Sequence, residues 1–417
     1  MAGPPTFNLM SHPLATRARD RWSTFSAAPH RLFFATGITW LLAWSAWWTA
    51  LLGARLGGIQ VLEPGVPALL VHGGAMLFAV FTPFMYGFLW TVFPRWMPAP
   101  EISRGVTLLV FWLLNLGQVL ALAGLLVSTR LHAAGWLLLA TSMLAAFGLL
   151  ARSLARASSG VPHAFVALAG LAAGVAGAAL FTVALLRWDF SAWPLVRALG
   201  LWAFLLVVYF AVCHRMLPFF TSRVVPGYVR WQPAWVLYGF AALGLARALL
   251  EPFAALRWLA TLPLAGIALL CALKWWPGQR MENRLMACLH YAFGWLAGGL
   301  VLAAAADLGT ALGIDWVPAR AGMHMLGMGF IGSMLVAMVT RVTLGHSGRP
   351  LMLDAWDWRI FLGLQFAVAL RVAGEFLPGA TLGLSGTGAL LWTLCLGAWA
   401  ARRLPVYFRP RVDGAPG

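Results

Sequence analysis

The chain has 417 residues, 61% of them hydrophobic and only 10% charged, with a mean hydropathy of +0.82. Soluble domains carry roughly 25% charged residues, so a water-soluble fold is excluded and an all-α polytopic membrane protein is expected. The net charge of +17 comes with no nucleic-acid-binding motif, and reads as topology and contact with anionic membrane lipid.

Residues 1–31 are polar and Pro/Ser-rich, with Arg17, Arg19 and Arg21. They lack an apolar run followed by a small-residue cleavage site, so a retained cytoplasmic arm is expected. A membrane span needs about 20 apolar residues. Twelve such runs follow, at 32–53, 66–93, 105–127, 131–151, 162–186, 195–217, 233–250, 256–274, 286–305, 318–342, 356–376 and 380–401. They form one membrane domain over 32–401, with a cytoplasmic tail at 402–417. The connecting loops are too short for a further domain, and no Walker motif, dinucleotide motif or clear internal repeat is legible. Of the 29 Lys and Arg residues, 21 lie at or beside the two tails and the loops on their side. The other 8 lie on the opposite side, which places both termini in the cytoplasm by the positive-inside rule.

Nine histidines are spread along the chain. His12 and His30 fall in the arm, and His132 and His163 at helix ends, where an exposed histidine needs no explanation. His72, His214, His290 and His324 lie within apolar runs, where an ionisable residue is costly and a functional candidate. His72 and His324 each sit about six residues into an outside-to-inside span, roughly 9 Å below the outer helix end. Met76 stands one turn from His72, and Met323, Met325 and Met328 surround His324. Imidazole suits haem iron and copper, and thioether suits Cu(I). Two histidines at one depth on different helices are therefore candidate ligands of one haem. An inner group, His214, His290 and His346, keeps company with Arg215, Arg341 and Arg349. His214 and His290 are also candidate metal ligands there. The three arginines and His346 are expected to anchor the inner surface near Pro218. Cys213, Cys271, Cys288 and Cys395 form no CxxC pair and read as small core residues. Glu375 and Asp307 are the acids nearest the interior. Neither gives a mid-membrane carboxylate of the kind a proton-coupled transporter keeps.

The segment HMLGMGFIGSMLVAMVTRVTLGHSGRPL (His324 to Leu351) resembles the NnrS family of bacterial membrane proteins. So do GFLWTVFPRW (Gly87 to Trp96), RMLPFFTSR (Arg215 to Arg223), LHYAFGWL (Leu289 to Leu296) and SAAPHRLFF (Ser26 to Phe34). The resemblance implies a twelve-helix inner-membrane protein that holds haem and copper, is associated with denitrification, and is linked to resistance to nitric oxide, its small-molecule ligand. It also implies a distant likeness to the haem–copper oxidases, whose second and tenth helices supply haem-ligating histidines, as His72 and His324 would here. Two departures stand out. The family's second span usually reads His-x-His-Glu-Met, where this chain has His72-Gly73-Gly74-Ala75-Met76, and the position of His214 is usually glycine. The competing readings are a twelve-helix transporter or metal-handling permease, and an assembly factor for a respiratory metalloenzyme. The sequence itself shows no reaction.

Overall fold

The computed structural model describes residues 21–59, 65–158, 161–278, 281–314 and 316–414. His12, Arg17 and Arg19 of the arm lie outside the described residues. Each of the twelve apolar runs is helical. They form α1 (Pro29–Leu56), α2 (Ala68–Trp96), α3 (Arg104–Val127), α4 (Thr129–Ala155), α5 (Pro162–Arg187) and α6 (Trp193–Val224). The second half comprises α7 (Ala234–Leu249), α8 (Trp258–Trp275), α9 (Arg284–Leu312), α10 (Ala319–His346), α11 (Ala355–Phe376) and α12 (Thr381–Tyr407). Among the described residues there is no strand, and nine helices are long and apolar enough to cross a membrane. Helix α7 is apolar but shorter. Helix α1 is diluted by Trp40, Trp44, Trp47 and Trp48, and α11 by Asp357, Arg359, Arg371 and Glu375. The chain is an all-α multi-pass membrane protein.

Local chemistry sets the helix ends. Pro29 and Pro162 open α1 and α5, where a missing N–H costs nothing. The side chains of Ser128 and Asn283 cap α4 and α9 by accepting the N–H groups of Leu131 and Met286. Asp354 caps α11 by accepting from the Asp357 N–H at 2.8 Å. That bond, more than the Arg402 guanidinium beside it, holds the Asp354 carboxyl below the usual carboxylate range.

Successive helices pack on one another, and α12 returns to pack on α1, closing the bundle. The α3/α4 contact is among the tightest. A Cβ on Gly117 would lie 3.0 Å from the Gly135 carbonyl oxygen, and at Gly124 and Gly135 the partner backbone is closer still. Small residues let backbones approach in this way where lipid gives no hydrophobic drive. His132 sits at this crossing. Expected at an exposed helix end, it is fully buried. Its Nδ1–H donates to the Ala121 carbonyl at 2.6 Å, and its Nε2 accepts from Trp136 Nε1 at 3.0 Å. The cause is the short Ser128 turn, which brings the first residues of α4 directly against α3.

Helices α2, α6 and α10 are the most buried of the nine. Each follows or begins at a proline, Pro67, Pro194 or Pro318. Each then passes through a π-helical stretch, Ala75–Ala79, Leu199–Leu205 or Met325–Gly332. No repeat is legible in the sequence, yet one backbone design recurs three times at a spacing of four helices. The wider turn exposes carbonyls to other partners. Gln118 of α3 donates to the Ala79 carbonyl at 2.7 Å while accepting from Trp44 Nε1 of α1 at 2.8 Å. The three helices converge on a central, almost wholly apolar cavity of about 60 Å³, walled by Met85, Leu89, Tyr209, Val212, Met334 and Met338 among others.

Candidate functional site

His72 lies in the first turns of α2 and His324 in the first turns of α10, each just ahead of its π-helical stretch. Such stretches occur often at functional sites. The two imidazoles lie within electrostatic range of each other, and Arg371 of α11 lies within range of both. The expected outer pair is therefore brought together. The His72 ring stacks on Trp48 of α1, with centroids 4.1 Å apart and planes at 18°, and its Nδ1 is buried without a hydrogen-bond partner. His324 Nδ1 is 2.8 Å from the Arg320 carbonyl. A carbonyl only accepts, so Nδ1 carries the proton, and the neutral ring keeps its lone pair on Nε2. This is the tautomer a metal-ligating histidine needs. Met76 is partly buried against the core. Met325 is turned to α9, where its methyl would lie 2.9 Å from a Cβ on Gly298 and its Cβ 3.1 Å from one on Gly299.

Arg371 is a member of this group that the sequence reading passed over. It lies 2.6 Å from Glu375, one turn along α11, yet its Nη1 is buried with no partner. An arginine and a glutamate four residues apart in an apolar run was the available signal.

The inner histidines divide into two sets. His214 Nε2 lies 3.2 Å from the Pro233 carbonyl, so Nε2 carries the proton and Nδ1 accepts from His163 Nε2 at 2.9 Å. His163, expected to be an unremarkable helix-end residue, is thereby the partner of His214, and its own Nδ1 is buried and unpartnered. Arg215 caps this set by stacking on Trp96, 4.8 Å from the ring centre. His290 is occupied separately. The Thr221 hydroxyl donates to the Leu217 carbonyl at 2.9 Å, so its oxygen accepts from His290 Nε2–H at 2.9 Å. Through its Nε2–H, His290 therefore donates from α9 to α6.

The expected inner anchor is split between two helices. The Arg341 guanidinium lies 3.9 Å over the ring of Phe220 on α6, close to Pro218. His346 instead faces the start of α1, its ring centroid 4.4 Å from that of His30. Helix α1 begins at Pro29, so His30 and Arg31 belong to the bundle rather than to the arm. Arg349 follows the left-handed Gly348, with Nη1 buried and unpartnered. Among the described residues no three His, Cys, Asp or Glu side chains converge as a metal cluster, and all four cysteines are free.

The family model described as NnrS protein matches residues 24–411. The chain belongs to the NnrS family. No curated protein matches it. Within this NnrS-family chain, the departures in the second span have a structural account. A Cβ on Gly74 would lie 2.5 Å from the Phe181 ring, one on Gly73 2.6 Å from Trp193, and Ala75 is fully buried. The positions where the family motif carries a second histidine and a glutamate are filled by aromatic packing from α5 and by the core.

Proposed function

We propose that this NnrS-family chain is a haem-binding protein of the bacterial inner membrane that protects against nitric oxide, and that His72 and His324 would hold the haem iron. One observation carries the reading. Two histidines stand at the same end of two inner helices, within electrostatic range of each other, one with its lone pair held on Nε2 by a backbone bond and the other with a buried, unpartnered ring nitrogen. Arg371, within electrostatic range of both rings and with a buried, unpartnered Nη1, supports the same reading, because a guanidinium would suit a haem propionate. Haem held by the two histidines would supply a redox-active iron centre that a small gas reaches only by displacing one of them. The chain's own residues fix the rings: Trp48 holds the His72 plane, and the Arg320 carbonyl holds the His324 tautomer. Copper is provided for less well. The family's extra histidine and glutamate are absent, and Met325 is spent against α9, so the reading assigns no separate copper site. The central apolar cavity suits a small uncharged diatomic molecule, in line with nitric oxide as ligand. Twelve crossings with both termini in the cytoplasm are part of the proposal, supported by the distribution of Lys and Arg and by the packing of α1, α7 and α11 into the same closed bundle.

The test is an optical spectrum of the purified protein with metal analysis. A Soret band is expected. His72→Ala and His324→Ala should remove or shift the low-spin spectrum while the protein still inserts, and His290→Ala should leave it intact. A His324→Ala variant with a full, unshifted spectrum would sink the assignment.

A further inference from the structure

The opposite end of the bundle carries a second group that the haem reading does not use. His30 and Arg31, in the first turn of α1, are each only 3% exposed. His346, at the end of α10, lies against His30. Arg95, at the end of α2, is within electrostatic range of both histidines, and Arg411 is within range of His346 and Arg31. The chain after α12 straps this group together. The Arg31 Nη1 donates to the carbonyls of Tyr407 at 3.1 Å and Arg409 at 2.9 Å, and the Val412 N–H donates to the Ser347 carbonyl at 3.1 Å. Gly348 must be glycine for this strap to lie down. Its φ is +72°, and a Cβ would come 2.6 Å from the Asp413 carboxyl carbon.

The charge of this group is lopsided. The two imidazoles meet beside the Arg31 guanidinium, the exposed Arg95 and the half-buried Arg411 lie within electrostatic range, and the carboxylate shown beside them, Asp413, is bound to Arg411. Burying cations without a counter-charge is costly, and so is burying a donor without an acceptor. Both costs are visible: His30 Nδ1 and Arg31 Nε are buried with no partner. Arg349, three residues beyond His346, has an unpartnered buried Nη1 as well. A neutral imidazole can offer one N–H, and a guanidinium can offer several in a planar fork.

We propose that His30, Arg31, Arg95 and His346 form a binding site for a phosphate group. Buried donors come from α1 and an imidazole from α10, and the exposed, long Arg95 side chain at the end of α2 is within electrostatic range to close over an oxyanion held there. Two sources share this chemistry: the headgroup of an anionic phospholipid, which basic pockets between helices attract, and free phosphate. The proposal does not depend on the haem reading, and its variants leave His72 and His324 untouched.

The experiment uses the full chain and a double variant, Arg95→Gln with His346→Gln, neither of which holds the α1–strap hydrogen bonds. Arg152→Gln, an exposed charge elsewhere, is the control. Native mass spectrometry after extraction from phosphatidylglycerol-containing membranes should show retained phospholipid on the wild type and the control, reduced at least tenfold on the double variant. Equilibrium dialysis of delipidated protein against radiolabelled inorganic phosphate gives the second arm. Phosphate binding without lipid retention, lost in the double variant, assigns the same site to free phosphate. If the double variant melts differently from the wild type, competition by sulfate against phosphate or lipid on the wild type still decides. Equal retention and binding in wild type and double variant, or no binding of either ligand by the wild type, would overturn the proposal.

Discussion

At the residue scale, what separates a ligand candidate from a packing residue is whether its nitrogens are already used. His132 has both nitrogens used, by Ala121 and Trp136, and His290 gives its Nε2–H to Thr221, whereas His72 has a buried nitrogen with no partner and His324 has its proton held on Nδ1 with the lone pair left on Nε2. The same accounting picks out a buried ion network away from the histidines. Arg247 binds Glu251 at 2.8 Å and Asp307 at 2.9 Å, Thr261 donates to Asp307 at 2.5 Å, and Arg197 and Arg257 complete the charge on Glu251. Removing one partner strands the others, so Arg247→Ala should cost about 3–5 kcal/mol. A thermal melt in detergent reads this, and an unchanged midpoint would refute it. His72 and His324 were legible in the sequence because an ionisable side chain in an apolar run announces itself. The partnerships of His163 with His214 and of His30 with His346 were not, because each joins residues on different helices that only tertiary packing brings together. Arg247 was invisible as a clasp for the same reason: in sequence it is one more basic residue near a loop.

At the element scale, helix positions followed from apolar run length, and the structure places a helix on every run. Backbone irregularity did not follow, because a π-helical stretch has no composition of its own. Its effect is geometric. One residue in an α-helix turns the rod by about 100°, so inserting a single residue in the α-helical part of α10 at 333–340 would swing His324 away from His72 relative to the inner end of α10. The expected result is loss of the haem spectrum, with membrane insertion and inner-end phosphate or lipid binding unchanged. The glycines divide by position in the same way. Gly124→Val drives a side chain into the α4 backbone and should cost about 1–3 kcal/mol. Gly148→Ala, with nothing within 4 Å, should leave the melting temperature as it was. Glycine spacing alone could not distinguish these two sites in so glycine-rich a chain.

At the scale of the whole molecule, three inner helices of like design are ringed by the others, and only two of the three bring a histidine to the shared end. On α6 the residues just ahead of the π-helical stretch are Val196, Arg197 and Ala198, and Arg197 is engaged with Glu251 instead. The orientation of this assembly is open to a direct test. Reporter fusions after Arg403 or within 152–158 should report the cytoplasm, and fusions within 54–59 or 307–314 the outside. A C-terminal fusion that reports the outside would reverse the two-layer arrangement of the histidines. The strap adds a consequence for biogenesis. A chain made from its N-terminus delivers α1 to the membrane early, yet the carbonyls that receive the Arg31 guanidinium belong to Tyr407 and Arg409. The first helix must therefore wait, incompletely satisfied, until nearly all the others have been inserted. A ribosome stalled before Tyr407 should leave a protease-sensitive, unclosed ring, which makes the closing strap a natural checkpoint for quality control.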